Sequence, residues 1–310
     1  MKTKLMIGFW LLLGVSTVLA QPKMVKKPMK LISSPTEIYM NASWSPNGQK
    51  IAFTTEEYNG LWVCNSNGSQ IEKITSDLSA GFAYQWSSDS KNILARPVVE
   101  DNSIRFHQVV HYSIENKSKI VLIDRTLNLK SLPVWTNGGT SVAVLTDEGV
   151  KEVSSGKQAL KGKVIEDNIE TFGRNLIKGN SSIELSAPEF KGRYVFNLVQ
   201  SPDGSKIVFQ VNGLGLYVAN ADGSNRKHLG FGEQASWMPD GKYVVVTVVK
   251  DNGYTITSGE IEAIDVNSGK SYPILSDSGY VALNPDVSPD GKSILFDNEP
   301  DGAIYLLKLK

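Results

Sequence analysis

The sequence predicts an all-β protein: a six-bladed propeller of four-stranded antiparallel blades, closed by an amino-terminal strand that completes the last blade. Three observations carry this prediction. First, a turn word recurs six times: SPNG (45–48), SSDS (87–90), TNGG (136–139), SPDG (201–204), MPDG (238–241) and SPDG (288–291). A repeat of roughly 48 residues suits one four-stranded propeller blade. Second, a short apolar run rich in β-branched residues follows each turn: KIAF, NILA, SVAV, KIVF, YVVV and SILF. Such runs fit strands. Third, the ends complement each other. The last unit stops at Lys310 after its third strand, and the amino end carries an unattached PMKLIS (28–33) that resembles the fourth strands QIEKIT (70–75) and RKHLG (226–230). Pairing the two closes the ring and removes its exposed edges.

Each element within the unit has a local cause. In Pro-Asp-Gly, Pro sets φ, Asp bonds to nearby backbone, and Gly takes the positive φ that other residues resist. The apolar run is strand B. After a loop of variable length comes strand C, as in LWVC (61–64) or LYVA (216–219). A second tight turn follows, NSNGS (65–69) or NADGS (220–224), and then strand D. These turns resemble calcium loops only faintly, since they are hairpin-length and lack the glutamate at position twelve. A Trp precedes four of the six turn words, at Trp44, Trp86, Trp135 and Trp237. Its repetition beside the tight turn predicts packing between blades. The third unit is the irregular one. Its extra material at 158–193 is read as a long loop, with a degenerate seventh blade as the alternative.

The first twenty residues are read as a secretory signal peptide. Lys2 and Lys4 precede an apolar run from Leu5 to Ala20, shorter than the roughly 20 residues of a membrane span, with small residues at Val18 and Ala20. The expected domain organisation is thus a signal peptide at 1–20 and one propeller at 21–310. The expected location is the periplasm or the exterior, without stable membrane insertion. The lysines of KMVKKPMK (23–30) are read as a solvated strand edge. The chain has 32 basic and 32 acidic side chains, which gives no reason to expect a nucleic-acid partner. The single Cys, Cys64, excludes an internal disulfide; Ala219 replaces it in another repeat, so it reads as a small buried residue.

The pattern W-S-P-D-G-K, apolar strand, I-Y-V, N-A-D-G-S, R-x-L-T resembles the propeller repeats of TolB-like proteins, in the WD40-like or PD40 repeat class. WSPNGQKIAF with GLWVCNSNGSQIEKIT, and SPDGSKIVF with GLGLYVANADGSNRKHL, carry the resemblance over nearly all of the expected mature chain. It implies a propeller without the additional amino-terminal α/β domain of TolB. The family includes periplasmic proteins that bind other proteins, and related propellers occur in peptidases and polysaccharide lyases. A shared fold does not transfer activity.

Catalytic motifs are sparse. His107 and His111 stand four apart on one strand, roughly 13 Å from each other, too far to share one metal. There is no G-x-S-x-G elbow. No catalytic residue, metal or cofactor is expected. Variation in length concentrates on one face, in the B–C loops at 55–60, 96–105, 248–259 and 297–302 and the inter-blade links at 76–84 and 276–284. Loops on a rigid scaffold are where binding residues concentrate. The candidates there are Glu57, Tyr58, Phe82, Tyr84, Arg96, Arg105, Tyr254 and Tyr280, since aromatics and Arg anchor interfaces. Three more recur three residues before the Trp position: Asn41, Asn197 and Asn284. Each either lines a ligand entrance or satisfies backbone at the inner edge. The expected function is a non-catalytic, monomeric exported propeller that binds a protein or peptide. The alternatives are a glycan-active lyase or hydrolase with paired carboxylates at the channel mouth, for example Glu57 with Asp297 or Glu299, and a small-ligand sensor.

Overall fold

The computed structural model describes residues 21–158, 169–170, 175–178, 181–185, 188–276 and 279–310. The expected signal peptide lies outside the described residues. The fold is a six-bladed β-propeller with strands A to D running from the central channel outward. Blade I is Tyr39–Trp44, Lys50–Thr55, Leu61–Asn65 and Glu72–Thr75. Blade II is Gln85–Trp86, Asn92–Ala95, Ile104–Ser113 and Lys119–Thr126; an extra strand, Val98–Asp101, folds back on the third. Blade III shows three strands among the described residues: Val134–Thr136, Ser141–Thr146 and Gly149–Ser154. Blade IV is Val195–Gln200, Lys206–Val211, Gly215–Asn220 and Lys227–Gly230. Blade V is Glu233–Trp237, Tyr243–Asp251, Ile256–Asp265 and Ser271–Leu275. Blade VI is Ala282–Val287, Ser293–Asn298 and Ala303–Lys308, and Met29–Ile32 is its strand D.

That last pairing is the predicted closure. Met29 stands opposite Leu306 and Ile32 opposite Ile304, antiparallel. Ile32 is 1% exposed, so the amino-terminal strand buries apolar surface as well as pairing an edge. The long interval between blades III and IV contains a short antiparallel meander, Ile169–Glu170, Asn175–Lys178 and Ser181–Glu184. Its first strand runs beside strand B of blade III.

The core lies between neighbouring blades. Strand B supplies its centre: Ile51, Phe53, Ile207, Phe209, Ile294 and Phe296 are fully buried, each stabilising by roughly 1.5–3 kcal/mol. The recurrent Trp packs against the preceding blade, Trp237 with Val208 and Leu216 and Trp135 with Leu94 and Val109. Two of these indoles also bond across the seam: Trp86 Nε1 donates to Ser43 O at 3.4 Å and Trp237 Nε1 to Val199 O at 3.1 Å. Cys64 is buried in the same layer, and burial pushes its thiol up to about 12.

The turn word closes on itself. The buried Ser201 hydroxyl donates to Asp203 Oδ1 at 2.7 Å and accepts the N–H of Lys206 at 2.9 Å, while Gly204 N–H returns to Ser201 O. Ser45, Ser87 and Ser288 repeat the arrangement with Asn47, Asp89 and Asp290. In SSDS the glycine position is Ser90, which takes φ +61°.

Candidate functional site

Strand A is kinked at one position in five blades. Asn41, Ala83, Asn197, Gln234 and Asn284, each three residues before the Trp position, have φ between 50° and 55°. Asn enters this left-handed region more readily than most residues. The register slips there by one residue, as between Met40 and Ser43 and between Leu283 and Asp286. The kink turns an N–H toward the preceding blade. Asn284 N donates to Gln234 Oε1 at 2.8 Å, and Asn41 N to Asp297 Oδ2 at 2.7 Å. Asn197 instead bonds within its own blade, Nδ2 to Gln210 Oε1 at 2.5 Å.

At the seam of blades VI and I these contacts fall on two carboxylates. Asp297 is 4% exposed; its Oδ2 also accepts Asn284 Nδ2 at 2.6 Å, and its Oδ1 is buried without a partner. Asp286 accepts the Trp44 N–H at 2.7 Å, with Ser236 Oγ at 3.4 Å. Among the described residues no Lys or Arg contacts either carboxylate, and burial pushes both up to about 7. The Tyr84 hydroxyl completes the cluster, 2.5 Å from Asn41 O, 2.8 Å from Ala52 O, and 3.1 Å from Ser43 Oγ. Burial keeps it protonated.

A second group forms on the loop-rich face at blades I and II. Tyr58 and Phe82 meet edge to face at 5.3 Å, and the Arg96 guanidinium lies 5.7 Å from the Phe82 ring centre. Gly81 N–H bonds to Tyr58 O, and a Cβ on Gly81 would stand 1.9 Å from Thr54 Oγ1, so only glycine lets the link lie this close to blade I. Glu57 and Tyr58 are consecutive non-glycine residues at φ +65° and +60°. Such strain concentrates at binding sites. Arg105 pairs with Glu100 at 3.4 Å on the neighbouring hairpin.

The predicted residues therefore divide. Tyr58, Phe82 and Arg96 come together. Asn41, Asn284 and Tyr84 join the channel cluster, Tyr84 with its hydroxyl turned inward. Tyr254 is 96% exposed at the tip of the blade V hairpin, well apart in the ring. Tyr280 packs on Phe296 and Tyr305, at 5.8 and 5.2 Å. Glu57 is exposed and bonds with Asn59, and no contact joins it or Glu299 to Asp297. Asp286 is not among the sequence candidates, and Asp297, offered there as an example beside Glu57, is instead bonded by Asn41 and Asn284. A signal for Asp297 lies in the B strands, where the residue after the apolar run is Thr54, Arg96, Gln210, Thr247 or Asp297 in five blades. Two of these are charged, and both belong to the groups described here.

On the opposite face a cleft of about 440 Å3 opens between blades VI and I, lined by Trp44, Asn47, Ser66, Asp290 and Lys308 among others. Among the described residues, no group of three or more His, Cys, Asp or Glu is placed to hold a metal ion. None of the helical segments among them is long and apolar enough to cross a membrane.

This architecture is a six-bladed β-propeller, similar in fold to TolB structures. Among solved structures it is similar to oligogalacturonate lyase from Vibrio parahaemolyticus, at 13% identity and a TM-score of 0.59, over 93% of this chain and 98% of that one. It is also similar to a candidate TolB from Agrobacterium tumefaciens, at 16% identity and a TM-score of 0.54, over 88% and 90%. TolB from Acinetobacter baumannii matches at 14% identity and a TM-score of 0.50, over 87% of this chain and 63% of that one. No family model matches the chain, and no curated protein matches it. At these identities the likeness is one of fold.

Proposed function

We propose that this protein is an exported, monomeric β-propeller that binds a protein or peptide partner through its loop-rich face and channel mouth. One observation carries the reading. The loop-rich face presents an aromatic and cationic group, Tyr58, Phe82 and Arg96, beside a channel mouth lined with polar side chains, and Tyr254 projects from a hairpin on the same face. Exposed aromatics and Arg are the usual anchors of interfaces. The likeness to TolB structures supports a binding role, and the apolar amino-terminal run supports export with cleavage near Ala20. The test is capture from the native cell envelope with wild-type protein and with Phe82→Ala, Arg96→Ala and Tyr254→Ala. Loss of the same captured protein in these variants is expected. Unchanged capture in all three would remove the choice of face.

A glycan-active enzyme is the second reading, favoured by the two channel carboxylates held near neutral pKa and by the likeness to an oligogalacturonate lyase. Groups poised near pH 7 are suited to proton transfer. It requires turnover of a glycan that Asp297→Asn abolishes while binding persists.

A further inference from the structure

We infer that Arg96 and His107 form the seat for a carboxylate of the bound partner, an acidic peptide side chain presented to the loop-rich face at blade II. The inference rests on the partner-binding reading above and names the chemistry of its contact.

Arg96 differs from three other described arginines of this chain, which have acceptors. Arg105 pairs with Glu100, Arg125 with Asp101 at 2.7 Å, and Arg193 donates to Asn212 O at 2.7 Å. The Arg96 guanidinium is partly buried against Phe82, and its Nε is shielded from solvent with no acceptor. Among the described residues no carboxylate or carbonyl answers it. Burial lowers its pKa, with no acid opposing.

His107 adds a second unanswered group. It lies on strand C of blade II, in register with Val98, and its Nδ1 is buried without a partner. Burial, then the charges of Arg96 and Arg105, hold the imidazole neutral below its usual range. The nearby acids are engaged elsewhere: Glu100 by Arg105, Asp101 by Arg125, and Asp77 by Lys119 and Tyr112.

A desolvated cation without a partner is costly, and a planar guanidinium is answered best by a carboxylate across two parallel N–H bonds. Gln108 N–H bonds to Pro97 O, so the residues that follow His107 and Arg96 are paired across the strands, and this places one fixed positive charge near one imidazole, a match for a monoanion. Phe82, with Tyr58 against it, covers one side of the Arg96 guanidinium. An arriving carboxylate satisfies Arg96 and draws a proton onto His107, so binding is recorded as a rise in the His107 pKa.

The experiment is an NMR titration of the histidine rings in the full chain. The probes are a triglutamate peptide, the matching triglutamine peptide, and trigalacturonate as a carboxylate from a sugar. His111, bonded to Ser155 O, and His228, bonded to Leu214 O, serve as internal controls of folding. Triglutamate is expected to raise the His107 pKa by about half a unit or more, and triglutamine to leave it unmoved. Arg96→Gln is expected to weaken triglutamate roughly ten- to hundredfold, with partial recovery in Arg96→Lys and the control histidines unchanged. A response to trigalacturonate alone would overturn the peptide assignment. A His107 pKa that neither anion moves, or equal binding by Arg96→Gln, would overturn the seat itself. A partner captured equally well by Arg96→Gln and wild type would refute this inference and leave the binding face standing. A His107 response without any captured partner would do the reverse.

Discussion

Two parts of this propeller, the serine-containing tight turns and the rim at blade II, finish their hydrogen bonds differently. On the tight-turn face, Ser45, Ser87, Ser201 and Ser288 are buried hydroxyls that each serve one Asn or Asp and one strand N–H. The second turns behave alike: Ser224 N–H and Oγ both reach Asp222. At blade II, Arg96 Nε and, on strand C, His107 Nδ1 have no partner, and on the loop-rich face Tyr254 stands in solvent. Groups that complete one another inside a turn specify the fold. Groups left incomplete on a rigid rim are available to something else.

Five substitutions break or sharpen this contrast. The largest effect is expected at the seam that both faces depend on. Ile32→Asp places a carboxylate in the buried pairing of Met29–Ile32 with Ala303–Lys308 and should cost more than about 4 kcal/mol, read as loss of the cooperative unfolding transition at ordinary temperature. Next is Gly81→Ala, which belongs to the loop-rich face and is nevertheless structural. Its Cβ meets Thr54, so a loss of roughly 1–3 kcal/mol is expected, together with a displaced Phe82. A neutral result would mean that the link is not locked to blade I.

The third concerns pH, where the faces oppose each other. Asp203 is held at about 2 by hydrogen bonds from Ser201 and Ser205, so its contribution is present above the ordinary carboxylate range and is lost as pH falls from about 4 to 2. Asp286 and Asp297 are raised to about 7 by burial. Their contribution is complete below about pH 4 and is lost as pH rises through 7, by at most roughly 4 kcal/mol for Asp297. Thermal unfolding should therefore peak in the mildly acidic range, and Asp297→Asn should flatten the decline between pH 4 and 7. A decline of equal slope in that variant would place the titration elsewhere. The last pair is the sharpest comparison. Ser201→Ala should lose about 1–3 kcal/mol by leaving its turn unsatisfied, without effect on partner capture. Tyr254→Ala should alter stability by less than about 0.5 kcal/mol and weaken capture.

The fold was legible because its rules are local. Ser-Pro-Asp-Gly contains its own hydrogen-bond partners, and the orphan PMKLIS matched an unfilled edge. Blade III was harder to read: TNGG lacks the Ser hydroxyl, and no periodic signal marks the meander that follows. The contacting group Tyr58, Phe82 and Arg96 was legible by residue type and by loop. It was not legible where a side chain answers the next blade. Asp286 and Asp297 acquire their role only when blade I closes onto blade VI, a contact between residues more than two hundred positions apart. Tyr84 was read as a loop residue because its link lies on that face, and its hydroxyl reaches inward past the strand.

The most direct test of a binding face is a photo-reactive side chain placed singly at Phe82, at Tyr254 and, on the tight-turn face, at Asp203, with cross-linking in the native cell envelope. A defined protein captured from Phe82 and Tyr254 but not from Asp203 is the expected result. Equal labelling from all three positions, or capture from Asp203 alone, would contradict it.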